Sequence, residues 1–424
     1  MNNAGTTKPL SAFIETAIGG GTPPRNVPSY WSGSIPWASV KDLNDSLTIF
    51  SQTEEHISES GLNNSAANLV PAGTPIVCTR MAVGRTAIPT VDVTINQDLK
   101  ALVPNPGTDP KYLAHSLNYL QPDIEAIASG STVRGISLNQ LLKFNLYSPG
   151  LQEQRRIAEI LDTLDDQIST TEQIITKLHQ VKNGTLVTLL RHGIGDGTTS
   201  ALGQFKDTAI GHFPTDWEVA PLSRLLGDDE PAMRSGPFGS ALLKHELTPS
   251  GIPLLGIDNV HVDKFVANYT RFVSPKKARE LSRYRVHPKD VMITIMGTVG
   301  RSCVVPDDVG KALSSKHVWT ITINPNLYDS YLLSLQLNHA PWARARLRRD
   351  EQGGIMSAVR SETLKSILLP VPPIGEQRRI VEIMDQFDAC IANESAKLKK
   401  LLPLKQGLMS DLLAGRVRVP AETV

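Results

Sequence analysis

Between positions 271 and 289 stand Arg271, Lys276, Lys277, Arg279, Arg283, Arg285 and Lys289, opposed only by Glu280 and the adjoining Asp290. A second cluster follows at Arg344, Arg346, Arg348 and Arg349. Cations at this density can neutralise the phosphates of a nucleic acid, which is a chemistry of binding rather than of catalysis. The first third of the chain carries a sparser set, Arg25, Lys41, Arg80, Arg85, Lys100 and Arg134, with Tyr30, Trp31 and Trp37 among them. Two glycine-rich stretches accompany these cations. GGGTPPRN from Gly19 includes Thr22, and RSGPFGSALLKH from Arg234 includes Ser235, Ser240, Lys244 and His245. Small residues let backbone N–H groups and short hydroxyls approach a phosphate or a base edge. Arg301, Lys316 and His317 complete the candidate contact set.

No catalytic constellation stands beside them. Neither glycine stretch has the lysine and Ser/Thr of a phosphate-binding loop, nor the spacing of a dinucleotide fingerprint. The chain contains no Asn-Pro-Pro-aromatic tetrad of an adenine methyltransferase, and its histidines show no metal-ligand spacing. Cys78, Cys303 and Cys390 fit neither a disulfide framework nor a zinc site, as for thiols in a reducing cytosol. No apolar run approaches the ~18–20 residues that would span a bilayer, and the N-terminus lacks a signal-peptide pattern, so a cytoplasmic protein without membrane contact is expected. A length of 424 residues allows two or three domains, and a net charge of +1 conceals an uneven distribution. The acids Asp162, Asp165, Asp166, Asp385 and Asp388 lie outside the basic segments.

Those acids belong to the elements that must position the rest. EQRRIAEILD from Glu153 returns as EQRRIVEIMD from Glu376, 223 residues later, and Lys182, Gly184 and Leu189-Leu190 find counterparts at the same offset. Apolar residues step by four and three through Ile157, Leu161, Leu164, Ile168, Ile175 and Leu178, and again through Ile380, Met384, Phe387, Ile391, Leu398 and Leu401. This is the heptad seam of a long helix. Ile160, Ile174 and Val181 widen the stripe, which suggests more than one neighbour, and the seam positions with Ile160 and Ile383 are the candidate partner-binding residues. Pro403 is expected to kink or interrupt the second helix, and Asn183-Gly184 to weaken the first.

Upstream of each helix lies a mixed α/β region. VPAGTPIVCTR and VHPKDVMITIM read as buried strands leading into the turns Val83-Gly84-Arg85 and Val299-Gly300-Arg301. The organisation is 1–150 first variable domain, 151–194 first repeated helix, 195–217 linker, 218–373 second variable domain and 374–424 second repeated helix.

With these residues in view, the chain resembles the specificity subunits of type I restriction-modification enzymes. The paired EQRRI helix starts carry the resemblance, together with FKDTAIGHFPTDWEV from Phe205, IPWASVKDL from Ile35, SGPFGSALLKHE from Ser235 and GIPLLGIDNV from Gly251. It spans nearly the whole chain. It implies two tandem α/β (α+β) target-recognition domains, separated by long antiparallel coiled-coil helices in a pseudo-two-fold repeat. Each domain would read one half of a bipartite, asymmetric site in double-stranded DNA. The helices would dock two methyltransferase subunits that bind S-adenosylmethionine and methylate adenine at N6. Restriction/translocase subunits, using ATP and Mg, would join them. The chain itself would bind no cofactor and catalyse nothing. A coiled-coil scaffold without DNA contact, or the recognition half of a split methyltransferase-nuclease, are the alternatives. The first copy lacks the IGHFPTDW-like lead-in, which leaves the anchoring of its first strand open.

Overall fold

Two helices organise the chain, the first at Leu151–His192 and the second at Ile374–Leu413. The computed structural model describes residues 6–43, 49–130, 134–194, 204–229, 231–351 and 359–420. Residues 195–203 of the expected linker thus lie outside the described residues. The chain divides into two compact units, each of which takes half of each helix: Met1–Thr176 with Ala392–Val424, and Lys177–Ile391. The helices are therefore shared between the units and do not form separate domains.

In the first unit, a five-stranded sheet has the order Ile14–Gly19, Leu99–Pro104, Ile76–Cys78, Thr86–Pro89, Ile49–Phe50. A four-stranded sheet has the order Glu55–Ile57, Ile35–Ala38, Val93–Ile95, Leu69–Val70. The second unit answers with Met233–Ser235, Val318–Ile321, Val291–Thr294, Ser302–Val304, and with Leu247–Thr248, Phe272–Val273, Ile252–Leu255, Ala312–Ser314, Arg285–Val286. The two expected buried strands are present at Ile76–Cys78 and Val291–Thr294. Register agrees between copies. Ile35 pairs with Ile57 as Ile252 pairs with Val273, and Leu99 with Cys78 as Val318 with Thr294. By that register Glu55 corresponds to Arg271, an exchange of charge at one position of one fold.

Side chains of the repeat explain its wording. Gln154 accepts from the Asp109 N–H at 2.9 Å and donates to the carbonyls of Gly107 and Pro149. Gln377 accepts from the Asp329 N–H at 2.9 Å and donates to those of Leu327 and Pro372. Asp109 and Asp329 each cap a helix, Pro110–Ile127 and Ser330–His339. On those helices Asn118 clasps both backbone groups of Thr86, and Asn338 both of Ser302. Glutamine and asparagine together fasten a short helix to its unit, in the same geometry in both copies.

The glutamate before each glutamine anchors the segment beyond the other long helix. Glu376 accepts from the Ile194 N–H at 2.9 Å and the Trp217 indole at 2.8 Å. Glu153 accepts instead from the Arg418 guanidinium, at 2.9 and 2.7 Å, from the Val419 N–H and from the Tyr147 hydroxyl. Arg418 thereby fills the place that Trp217 of the lead-in fills in the second unit. The first strand, Thr7–Pro9, is held by antiparallel pairing with Asn145–Tyr147. Both helix ends turn through a left-handed glycine, Gly193 (φ +69°) and Gly415 (φ +66°). A Cβ at Gly193 would lie 2.2 Å from the Glu376 carboxylate, so glycine is required there twice over.

Within each unit the two half-helices run antiparallel. Asp165 pairs with Lys405 in the first and Asp388 with Lys182 in the second, reciprocal copies of one ion pair. Both helices are continuous, the second straight through Pro403. The missing hydrogen bond is outweighed by packing of Leu398, Leu401 and Leu408 against Leu164 and Ile168 on either side of it.

Acid should loosen the first unit before it loosens a variant lacking these carboxylates. Burial alone would raise the Glu153 carboxyl, but hydrogen bonds from Arg418 and Val419 outweigh it and hold it below the ordinary glutamate range. Asp162 is likewise lowered, with His115 and Lys111 outweighing burial. Carboxyls depressed on folding stabilise above their unfolded pKa, about 4.3 for glutamate, and that contribution is lost as pH falls through the folded value. Denaturant midpoints from pH 6 to 3 should fall less for Glu153→Gln than for the parent chain. Parallel curves would remove Glu153 from the acid response.

Candidate DNA interface

Each unit brings three segments to the same part of its fold: the glycine-rich loop, the turn before the strand that pairs with the one leading into that loop, and the tip of a hairpin. In the first unit Gly20 and Gly21 pass so close to Ile95, Asn96 and Ala66 that a Cβ at either would overlap backbone atoms. In the second, Gly236 makes the same approach to Ser314 and Ser315. The hairpin tips also match. Gly84 donates to the Cys78 carbonyl as Gly300 donates to that of Thr294, both at 2.9 Å and both with positive φ (+86° and +84°).

Around these loops in the second unit lie two clefts. The smaller, about 280 Å³, is lined by Lys244, Arg271, Lys316, His317 and the buried Ser315 over a floor that includes Leu242, Leu247 and Leu254. The Ser315 hydroxyl has no hydrogen-bond partner, nor has that of Ser235, next in sequence to Gly236. Burial, then the Lys316 and Arg271 cations, hold the His317 imidazole below its ordinary value, so it is neutral at neutral pH and can accept or donate. The larger cleft, about 680 Å³, is lined by the hairpin-tip residues Gly297, Thr298 and Arg301 with Asn338, Arg344 and Arg348 among others. Thr298 there also has a buried hydroxyl without a partner. Among the described residues, Lys244, Lys316, Arg301, Arg344 and Arg348 form no ion pair. Free cations beside unpartnered hydroxyls form a surface that an oligoanion with hydrogen-bonding edges would complete.

Other expected contacts sit around this surface. Ser240, His245, Lys276, Arg283 and Arg285 are exposed or half-buried. Lys277 is engaged by Glu246 at 2.8 Å, and Arg346 donates to Ser366. Arg234 is a correction: it is buried against Asp290 and donates to the Arg285 carbonyl and Thr322, so it holds the sheet and cannot reach a ligand. Ser235 is buried with it.

Among the described residues of the first unit, three of the six candidate cations are paired with carboxylates. Arg25 lies 3.7 Å over the Trp31 ring and is clamped by Glu55, with one bond of 2.8 Å. Lys41 faces Glu54 at 3.5 Å and Arg80 faces Asp98 at 3.6 Å. Arg85 donates to the Leu43 carbonyl at 2.7 Å. Thr22 donates to Gln97 at 2.5 Å, which joins the glycine-rich loop to the turn before the Leu99–Pro104 strand. Tyr30 and Lys100 are half-buried and Arg134 is exposed. Gln97, Ser315 and Thr298 were not expected from the sequence, because an isolated polar residue in a turn gives no periodic signal.

Likeness to known proteins agrees with this duplicated geometry. The sequence profile of the type I restriction modification DNA specificity domain matches residues 6–180 and 251–403, well over half of the chain. The chain belongs to the type I restriction-modification DNA specificity family. This specificity chain is 35% identical over 154 residues to the EcoR124I/EcoR124II specificity subunit of Escherichia coli, a stretch covering 35% of this chain and 38% of that subunit. It is 25% identical over 338 residues to the putative MjaX specificity subunit of Methanocaldococcus jannaschii, covering 76% and 72%. In fold, the specificity chain is similar to the S subunit of a type I restriction-modification system from M. genitalium, with a TM-score of 0.60, 15% identity and 97% of both chains covered.

The helix seam needs a second correction. Ile157, Leu161, Leu164, Ile168, Ile380, Met384 and Leu401 are buried inside the units of the specificity chain. Ile157 and Leu161 pack with Leu10, Tyr112 and Leu412, and Ile380 and Met384 with Leu186, Leu190 and Leu332. Such residues cannot dock a partner without unfolding their own unit. Ile160, Ile175, Leu178, Ile383, Phe387, Ile391 and Leu398 are half-buried. The exposed apolar positions on the helices are Ile174 and Val181 of the widened stripe, together with Val187, Leu402 and Leu404. Among them Val181 and Leu404 are counterparts at the repeat offset, 49% and 51% exposed.

Proposed function

We propose that each unit reads one half of a bipartite, asymmetric DNA site, and that the paired helices dock two adenine methyltransferase subunits, through which restriction/translocase subunits are recruited. The observation that carries this reading is a copied frame with uncopied loops. Glutamine staples, asparagine clasps and Asp–Lys pairs recur in both units. Beside that frame, by contrast, Glu55 of the first unit answers to Arg271 of the second. A pseudo-symmetric frame offers two partners the same surface, while divergent loops read different sequences. Catalysis, S-adenosylmethionine, ATP and Mg would then belong to the partner subunits. No helix among the described residues is long and apolar enough to cross a membrane.

A salt series tests the surface assigned to the second unit. Each phosphate that a variant no longer neutralises should lower the slope of log affinity against log salt by about 0.9. Lys316→Ala, Arg301→Ala and Arg344→Ala should each weaken binding to a duplex carrying the methylation site, with a shallower slope. Unchanged affinity and slope in all three would show that DNA does not lie across these clefts.

A further inference from the structure

The hairpin tip of the first unit carries a residue that its own backbone does not favour. Met81 has φ +66°, in the left-handed region that an unbranched apolar side chain rarely occupies. Its counterpart in the second unit is Gly297, with φ +74°, for which that conformation is free of strain. The Met81 side chain gains no burial in return. It is 64% exposed, the highest value among the large hydrophobics of the described residues. The tip is held firmly: the Met81 N–H donates to the Arg134 carbonyl at 3.1 Å, and Arg80 bridges Gly135. Exposed Arg134 flanks it, as does Arg80, whose head faces Asp98 at 3.6 Å. A strained, exposed apolar side chain beside the Arg134 cation gains no burial within the fold, but it fits a ligand that is anionic along its edges and apolar at a point within.

We infer that Met81 is a specificity-determining residue of the first unit, which places its thioether side chain in the major groove against the methyl group of a thymine. The inference rests on the DNA-reading function proposed above. A side chain carried at the turn of a hairpin can reach into the major groove, where the thymine C5 methyl is the one apolar feature of a base edge. Arg134 would hold a flanking phosphate, while Arg80 stays with Asp98. In the second unit Gly297 offers no such side chain, so the two half-sites should differ in this contact.

Met81→Gly gives the tip the residue of its counterpart and removes the strain, so its unfolding midpoint should be no lower than the parent's. Met81→Asn keeps a side chain that tolerates left-handed backbone. Both variants, assembled with their modification subunits, should bind the mapped site about tenfold more weakly, the worth of one buried apolar side chain. The salt slope should stay unchanged, since neither variant removes a charge and Arg134 still neutralises the same phosphate. Methylation maps should show relaxed sequence preference in one half-site only. Replacing thymines of that half-site one at a time with deoxyuridine should cost the parent chain about fourfold at one position and the Met81→Gly chain nothing there. Equal affinity and identical methylation maps for parent and variants would overturn the inference, as would indifference of the parent to every deoxyuridine. Failure of the parent itself to bind the site specifically would instead overturn the DNA-reading function.

Discussion

Asp290→Ala should remove about 3–5 kcal/mol of stability, because it leaves the Arg234 guanidinium buried without its counter-charge. The side chains of this pair are only 4% and 1% exposed. Around them Arg234 donates to Thr322 at 2.8 Å, while Asp290 accepts from the His287 N–H at 2.7 Å and from the Thr322 hydroxyl at 2.6 Å. Burial pushes the Asp290 carboxyl up and the Arg234 guanidinium down from their ordinary values, so neither charge is at home there without the other. A typical domain holds only about 5–15 kcal/mol in total, so the variant should be largely unfolded in moderate urea. Replacing both members, as Arg234→Met with Asp290→Leu, should recover much of the stability, since a well-packed apolar pair needs no compensation. Urea midpoints of the parent and both variants decide the matter. A destabilisation below about 1 kcal/mol for Asp290→Ala would mean that water reaches the pair and that Arg234 is free to act elsewhere.

That pair marks where sequence reasoning stops. Arg234 stands in a basic, glycine-rich stretch and reads as a contact by composition. Only the sheet, which sets it against Asp290 across 56 positions of sequence, shows it to be internal. Lys316 and His317 give a weaker signal in sequence, yet the fold brings both to one cleft with Lys244 and Arg271. The frame is more legible. Repetition of EQRRI announces the duplication, and the short-range periodicities of Ile157–Leu178 and Ile380–Leu401 announce the helices, because helices are encoded by local spacing. What periodicity cannot say is which neighbour covers the stripe. The apolar stripe is too wide for a helix pair, and the additional neighbour is the chain's own α/β layer: Leu10 and Tyr112 in one unit, Leu332 in the other. Pro403 teaches the converse, since packing on both sides overrides a local rule.

Partner docking should therefore respond to residues outside the seam. Leu161→Asp would place a carboxylate among Leu10, Tyr112 and Leu412, so it should abolish folding of the first unit and say nothing about docking. Val181 and Leu404 offer the informative test. Each is half exposed on its helix, at the same place in its copy of the repeat, so Asp there should cost the fold about 0.5 kcal/mol or less. If the two copies of the frame each seat one methyltransferase, Val181→Asp should lower the co-purified complement from two to one, and so should Leu404→Asp. The double variant should retain none while still melting as the parent does. Mass measurement of the assembled complexes reads the stoichiometry directly. Two subunits retained by all three variants would place the docking surface off these helices, whereas release of both from either single variant would mean that the seats are coupled. One subunit released per substitution is what a duplicated frame requires, because each copy of an exposed apolar position can serve only the partner seated on its own copy.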